Sequence, residues 1–355
     1  MMGKTAVVFS PKYYEHDPGK DHPESAKRLE AIIHELKNGL LSQNRDIQFV
    51  DPFRASIEDV ELVHGIEYIR LVEAVCNSGG GLLDLEDTVV SSQTYEVALS
   101  AVGGAIRSVD LAMNGKYQNA FALVRPPGHH ASRFRACGFC VFNNVAIAAE
   151  HLRRHYKLRR IAILDFDAHH GNGTQETFYS TDEVLYISLH EDPTGFPGTG
   201  FPEEVGEGEG LGFTINIPFP YETSDRIYLK ALREIVEPII RQYRPQFVLV
   251  SAGLDGHRSD PVGNLSLSTA CYSDMFRTIT GLANHLCHGR LVSVLEGGYN
   301  VNHVGKTCAS AIAEMSGHGR ICQRRKATES SENEEQGEAA IQEVKKVQRA
   351  FWHVD

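Results

Sequence analysis

The chain has 355 residues, 42% of them hydrophobic, and carries a formal net charge of −11. That is ample apolar material for one large core, no apolar run approaches bilayer-spanning length, and the acidic balance argues against direct nucleic-acid binding. Seven scattered cysteines fit reduced thiols, and the N-terminus lacks the long apolar region of a secretion signal, so a cytoplasmic protein is expected.

Eight segments read as strands: Thr5–Ser10, Ile47–Asp51, Asn119–Val124, Arg160–Asp167, Val184–His190, Phe213–Phe219, Gln246–Gly253 and Arg290–Glu296. Helical patterns separate most of them, which predicts a single α/β domain over residues 1–355 with a mainly parallel sheet and helices on both faces. The first helix is expected from His22-Pro-Glu24, with Pro23 in the first helical position. Further helices read from Ser56 to His64, Gln93 to Met113, Val141 to Tyr156, Asp225 to Tyr243, Thr269 to His285 and His303 to Met315. Pro238 should kink the helix that holds it. From about 317 to 338 the composition turns charged, with Arg320, Arg324, Arg325 and Lys326 followed by an acidic, serine-bearing stretch, and predicts a flexible loop. A last helix over 339–352 should dock through Ile341, Val344, Val347, Phe351 and Trp352.

The stretch Ile161–Gly173 stands out. Its first half is uninterrupted apolar strand, and its second half places Asp165, Asp167 and His169 at every other position before a Gly-Asn-Gly turn. Paired carboxylates and an imidazole at the carboxyl end of a buried parallel strand suit a cation. The alternative is that Asp167 or Asn172 caps a helix starting near Thr174. Other strand ends carry unusual polar groups too. Arg125-Pro-Pro-Gly-His-His-Ala131 presents His129 and His130 side by side, as surface residues or as a catalytic pair. Asp255 follows another strand, either capping a turn or completing a ligand set, and Tyr299 follows Gly297-Gly298, either in a turn or projecting inward. Cys137-Gly-Phe-Cys140 has no second pair to complete a zinc knuckle and reads as ordinary thiols. Together these segments are equipped for metal-assisted hydrolysis: three ligands, a base for water, and a phenol for the oxyanion.

The motifs Asp87-Thr-Val-Val-Ser91, Pro126-Pro-Gly-His-His130, Cys137-Gly-Phe-Cys-Val-Phe-Asn-Asn144, Asp165-Phe-Asp-Ala-His-His-Gly-Asn-Gly173, Gly195-Phe-Pro-Gly-Thr-Gly200, Ser251-Ala-Gly-Leu-Asp255 and Leu295-Glu-Gly-Gly-Tyr-Asn300 occur in this order. In them the chain resembles zinc-dependent histone deacetylases of the class II type. That superfamily also holds acetylpolyamine amidohydrolases and acetoin-utilisation proteins. The resemblance implies an arginase/deacetylase-like fold with an eight-stranded sheet, one catalytic Zn²⁺ on Asp167, His169 and Asp255, and an acylated lysine of a protein or peptide as substrate. It also implies His130 as general base, His129 as its partner held by Asp165, and Tyr299 as oxyanion donor. Asn172 stands where class I members have an aspartate beside the second histidine. Gly138, Phe139 and Phe196 would line a tunnel for the lysine stem, Asp87 would hold the substrate backbone, and Arg28 resembles the arginine of an acetate exit channel. A structural K⁺ or Na⁺ near Asp165, Asp167, His169, Ser188 and Leu189 is implied as well. One departure is Tyr221-Glu-Thr223, where relatives carry a Pro-Gly turn.

Within the same chemistry the rival substrate is an acetylpolyamine. Polyamine-selective members carry a glutamate gatekeeper after the Asp-Pro that follows the metal aspartate, whereas here the text is Asp260-Pro-Val262. An apolar Val262 favours the neutral stem of an acyl-lysine. A non-catalytic acyl-lysine reader is disfavoured by the intact Asp167, His169, Asp255, His130 and Tyr299. An arginase-like two-metal enzyme would need a second ligand set, and the sequence offers one.

Overall fold

The computed structural model describes residues 4–84, 87–323 and 331–355. Its strands are β1 (Thr5–Val8), β2 (Ile47–Val50), β3 (Gly80–Leu82), β4 (Val89–Ser91), β5 (Asn119–Ala122), β6 (Ile161–Asp165), β7 (Val184–Glu191), β8 (Thr214–Phe219), β9 (Phe247–Ala252) and β10 (Leu291–Leu295). Eight of them form one sheet in the order β2-β1-β5-β10-β9-β6-β7-β8. Every pairing in it is parallel. The central strands are buried along their whole length, which is why they read as mostly apolar runs rather than alternating ones. All eight predicted segments lie on these strands, in one α/β domain.

The topology decides where the chemistry sits. The loops that follow β5, β10, β9, β6 and β7 leave five neighbouring strands at the same edge. Asp165 is level with Ser188 on one side and Ser251 on the other, so the polar residues beyond these strand ends meet at one rim. Ligands of open α/β sheets bind at this edge.

The helix expected over Ser56–His64 is a single turn, Ile57–Val60, and the helices depart further from the sequence reading in four places. The first begins at Lys27, not Pro23, and ends at Asn38. Glu24 is turned inward instead, where its Oε1 accepts from Arg125 Nε at 2.7 Å and from Arg28 Nη1 at 2.9 Å. A helix from Pro23 would carry Glu24 in a regular first turn; two buried guanidinium groups compete for it and win. Against its burial, Arg125 and His16 hold this carboxyl well below the usual range. Second, a helix over Ile66–Asn77 and the small hairpin of β3 and β4 were not anticipated. Third, the expected helix over 225–243 is a rod of three parts: Asp225–Ala231, a π-helical turn Leu232–Val236, and Glu237–Tyr243. Pro238 has no N–H to offer, and the widened turn directly before it absorbs the break.

The fourth departure is at the C-terminus. The last helix is Ser331–Gln348, so it begins eight residues before 339 and takes up acidic residues expected in a loop. Glu332 and Glu334 lie in its first turn, where the helix dipole favours negative charge, and Arg226 and Lys230 pair with Glu334 and Glu338. Ile341 and Val344 are fully buried, and Trp352 packs on Phe213 and Tyr243 while donating to Gly212 O at 2.8 Å. Phe351 is exposed, contrary to expectation. The basic residues Arg324, Arg325 and Lys326 lie outside the described residues. At the unusual Tyr221-Glu-Thr223 turn, Glu222 takes φ 63°, the left-handed conformation that a glycine adopts without cost. Among the described residues no helix is long and apolar enough to cross a membrane.

Candidate active site

Strand β6 delivers Asp165 at its last position, and the chain then loops through Asp167 and His169 before the helix Asn172–Phe178. That helix starts after Gly171 with no side-chain cap, so neither Asp167 nor Asn172 serves as its cap. Asp255, past the end of β9, comes alongside. His169 Nδ1 is 3.3 Å from Asp167 Oδ1 and 3.1 Å from Asp255 Oδ2. The other carboxylate oxygens are tied back to the frame: Asp167 Oδ2 accepts from Gly297 N at 2.9 Å, and Asp255 Oδ1 from Ala168 N at 2.9 Å. Each aspartate thus keeps one oxygen aimed at the imidazole nitrogen.

This trio fits a divalent ion. Its ligand atoms lie within 4.8 Å of one another. A tetrahedral ion with bonds near 2.0 Å separates its ligands by about 3.3 Å, close to the spacings found around His169 Nδ1. Burial and the adjacent Asp167 carboxylate push Asp255 up to about 7. Crowded buried carboxylates of this kind call for a cation. Two other groups have metal-competent spacing, His129–His130–Asp167 and His129–Cys140–Glu296. Both depend on His129. Although burial opposes it, Asp165 and Asp167 raise that imidazole to about 10, which suits a proton donor. The Asp167–His169–Asp255 group leaves the His129–His130 pair free for that role and is the candidate metal centre.

The Pro126–Ala131 loop carries the histidine pair over this centre. His129 Nδ1 is 3.0 Å from Asp165 Oδ2, and its Nε2 is 3.8 Å from Asp167 Oδ2. The His130 ring lies against it, tilted by 44° with centroids 3.9 Å apart, and its Nδ1 is 2.8 Å from Asn172 Oδ1. The two rings are driven apart in acidity. Burial, then the neighbouring His129 charge, hold His130 well below the ordinary imidazole value. One environment thus yields a protonated histidine and a neutral one, the combination an acid and a base require. A prediction follows from the amide at position 172. Asn172→Asp supplies a carboxylate to His130 Nδ1–H and favours its protonated form. The acid limb of the kcat/KM profile is then expected to move to higher pH. An unmoved limb would mean that His130 is not the titrating base.

Tyr299 reaches the site from the turn after β10. Its backbone N–H and that of Asn300 both donate to Asp260 Oδ2, at 2.7 and 3.1 Å, and its ring lies 4.8 Å from the Arg28 guanidinium carbon. Burial raises the phenol well above 10, with Arg28 opposing, so it stays a neutral donor. Arg28 itself is buried and bonded to Glu24 and Gly298 O; the solvated charge it would be on an isolated helix is not what forms.

Phe139 and Phe196 flank the approach. Phe139 packs edge-on against Tyr299 at 5.7 Å, and Phe196 against His130 at 5.0 Å and His169 at 5.8 Å. Phe139 adopts φ 67°, a strained choice for an aromatic residue, which aims its ring at Tyr299. Gly138 must be glycine: a Cβ there would stand 2.6 Å from the His130 ring and 2.9 Å from Phe196. Asp87 lies on the loop beside them, its carbonyl 3.2 Å from His22 Nε2. Val262 is half-buried, its N–H bonded to Asp260 Oδ1 at 3.1 Å. Ser188 and Leu189 are next to Asp165, yet Ser188 Oγ is bonded to His190 and Leu189 O accepts from Tyr228. Cys137 and Cys140 form no disulfide.

Sequence reading missed Glu24, Arg125, Asp260, Glu296 and Tyr186, whose hydroxyl donates to Asp165 Oδ2 at 3.1 Å. For Arg125 and Glu296 a signal exists: each is a charged residue close behind a short, mostly apolar and fully buried strand.

The family model described as "Histone deacetylase domain" matches residues 22–315. A "Probable deacetylase" of Archaeoglobus fulgidus is 44% identical over 88% of this chain and 86% of its own length. "Histone deacetylase-like amidohydrolase" of Pseudomonas aeruginosa is 37% identical over 84% of this chain and 77% of its own. "Histone deacetylase 14, chloroplastic" of Arabidopsis thaliana is 37% identical over 85% and 74%. Among solved structures, the "HDA15 HD domain" superposes with a TM-score of 0.89 at 32% identity, covering 99% of this chain and 96% of that one.

Proposed function

The chain belongs to the histone deacetylase family, and from that premise we propose that it is a zinc-dependent amidohydrolase removing acetyl or other acyl groups from lysine side chains of proteins or peptides. The observation that carries this reading is the convergence of Asp167, His169 and Asp255 beneath the oppositely tuned His129 and His130. Asp167, His169 and Asp255 would hold the ion, which when bound supplies Lewis acidity toward an amide carbonyl and a water.

The chain's own groups account for the proton movements. His130 commits Nδ1 to Asn172 and remains neutral, so its Nε2 accepts a proton from the attacking water. His129, protonated between Asp165 and Asp167, delivers one to the departing amine. Tyr299 donates its phenolic hydrogen to the developing oxyanion. Phe139, Phe196 and Gly138 shape a narrow apolar passage that suits the lysine stem, Asp87 holds the substrate backbone at its mouth, and Arg28 belongs to the exit path for the released acid. The monovalent ion at Asp165, Asp167, His169, Ser188 and Leu189 has no separate support.

The experiment that tests this reading is a turnover comparison of acetyl-lysine peptides, longer acyl-lysine peptides and acetylpolyamines with the zinc-loaded protein. Val262 makes the comparison sharper. An ammonium desolvated against valine loses hydration and gains nothing, so acyl-lysine should be preferred. Val262→Glu places a carboxylate there, and a half-exposed charge pair worth about 1 kcal/mol should shift the kcat/KM ratio several-fold toward acetylpolyamine. If wild type already favours acetylpolyamine, the valine argument fails and that substrate takes its place.

A further inference from the structure

One buried carboxylate near the site takes part in none of these steps. Glu296 directly follows β10, is fully buried, and is neither a ligand of the Asp167–His169–Asp255 centre nor one of the proton-transfer groups above. Its Oε2 accepts two backbone hydrogen bonds, from Gly128 N at 2.7 Å and His129 N at 3.2 Å, and its Oε1 lies 3.4 Å from Ser251 Oγ. The Gly128 and His129 peptides belong to the turn that carries the histidine pair. Their N–H groups point into the protein and find no strand to pair with, and an unmet buried donor is costly.

The three residues after β10 serve the site one after another. The Glu296 side chain holds the histidine turn, Gly297 N–H holds Asp167, and the Gly298 carbonyl takes Arg28 Nε at 2.6 Å. Tyr299 follows. Gly297 tolerates nothing larger, because a Cβ would stand 2.6 Å from Asp255 Oδ2 and 2.7 Å from Asp167 Oδ2. The backbone carrying Glu296 is therefore packed directly against the metal-competent carboxylates, and the side chain measures a fixed span from them to the histidine turn.

We propose that Glu296 is the positioning residue of the histidine pair: its carboxylate oxygen clamps the Gly128–His129 backbone and so sets the distance of His129 and His130 from the Asp167–His169–Asp255 centre. The inference rests on the deacylase reading, in which both histidines move protons. It assigns the work to the acceptor's place rather than to its charge, and two near-isosteric variants separate these. Glu296→Gln keeps an acceptor oxygen at the same reach without the charge. Glu296→Asp keeps the charge and withdraws the acceptor by one carbon, about 1.5 Å.

Glu296→Gln should retain kcat to within a few-fold. Glu296→Asp should lose about 10²-fold in kcat, the scale on which a displacement of an ångström acts. In both, KM and zinc content should stay at wild-type values. Amide hydrogen exchange provides a readout that needs no turnover: protection at Gly128 and His129 should fall at least about tenfold in Glu296→Asp and hold in Glu296→Gln, because Glu296 Oε2 is the acceptor of both N–H groups and its loss eases local opening. The opposite ranking, with Gln impaired and Asp normal, would make the role one of charge and overturn the inference. So would unchanged protection in Glu296→Asp. A wild type inactive on every acyl substrate would refute the deacylase reading instead, leaving the exchange experiment to decide the clamp.

Discussion

Replacing Asp255 with alanine is expected to strip tight zinc from the protein and abolish deacylation. Its Oδ2 is one of the two carboxylate oxygens facing His169 Nδ1, at 3.1 Å. With two ligands left, the ion's Lewis acidity is lost, worth several kcal/mol at the transition state and at least about 10³-fold in turnover. Zinc per chain after dialysis, together with a zinc titration followed by activity, checks this. The assignment fails if the variant keeps one zinc per chain at wild-type affinity. Two carboxylates and an imidazole form an oxygen-rich set, so Fe²⁺ or Co²⁺ should also occupy the site in suitable preparations and support turnover.

Tyr299→Phe is expected to cost about 10²–10³ in kcat, the usual consequence of removing one oxyanion donor. The substitution leaves the ring, its edge-on packing against Phe139 at 5.7 Å and its place over Arg28. Zinc content and thermal stability should hold at wild-type values, because the turn is anchored through its backbone to Asp260 rather than through the hydroxyl. Steady-state kinetics on an acetyl-lysine peptide, with metal analysis of the same sample, decides the point. Near-normal turnover would place the phenol away from the reacting carbonyl.

The strand framework was legible because buried parallel strands are continuous apolar runs with polar punctuation, and β6, β9 and β10 have little else in them. The helix over Ile66–Asn77 was overlooked although Tyr68, Ile69, Val72 and Cys76 recur at helical spacing along its buried face. The β3–β4 hairpin offered much less, being three residues a side, with two glycines in β3 and Val90 its one buried residue. The acidic stretch before the last helix misled because its charge suits a solvated loop equally well. Arg226 and Lys230, a hundred residues earlier, supply the partners that make it a docked helix.

What the sequence by itself determined is the chemistry available at each strand end: Asp167 and His169 after β6, Asp255 after β9, Tyr299 after β10, and the histidine pair after β5. Spacing within a segment expresses this, because a strand and the turn that ends it are local structures. What only the tertiary structure decided is the company these residues keep. The strand order β5-β10-β9-β6 brings together chain segments that are far apart in sequence, and with them the buried groups that serve several partners at once. Glu24 between Arg28 and Arg125, Asp260 under Tyr299, and Glu296 beneath His129 are of this kind. Their roles come from desolvation and from donors supplied by distant segments, and neither exists until the chain has folded.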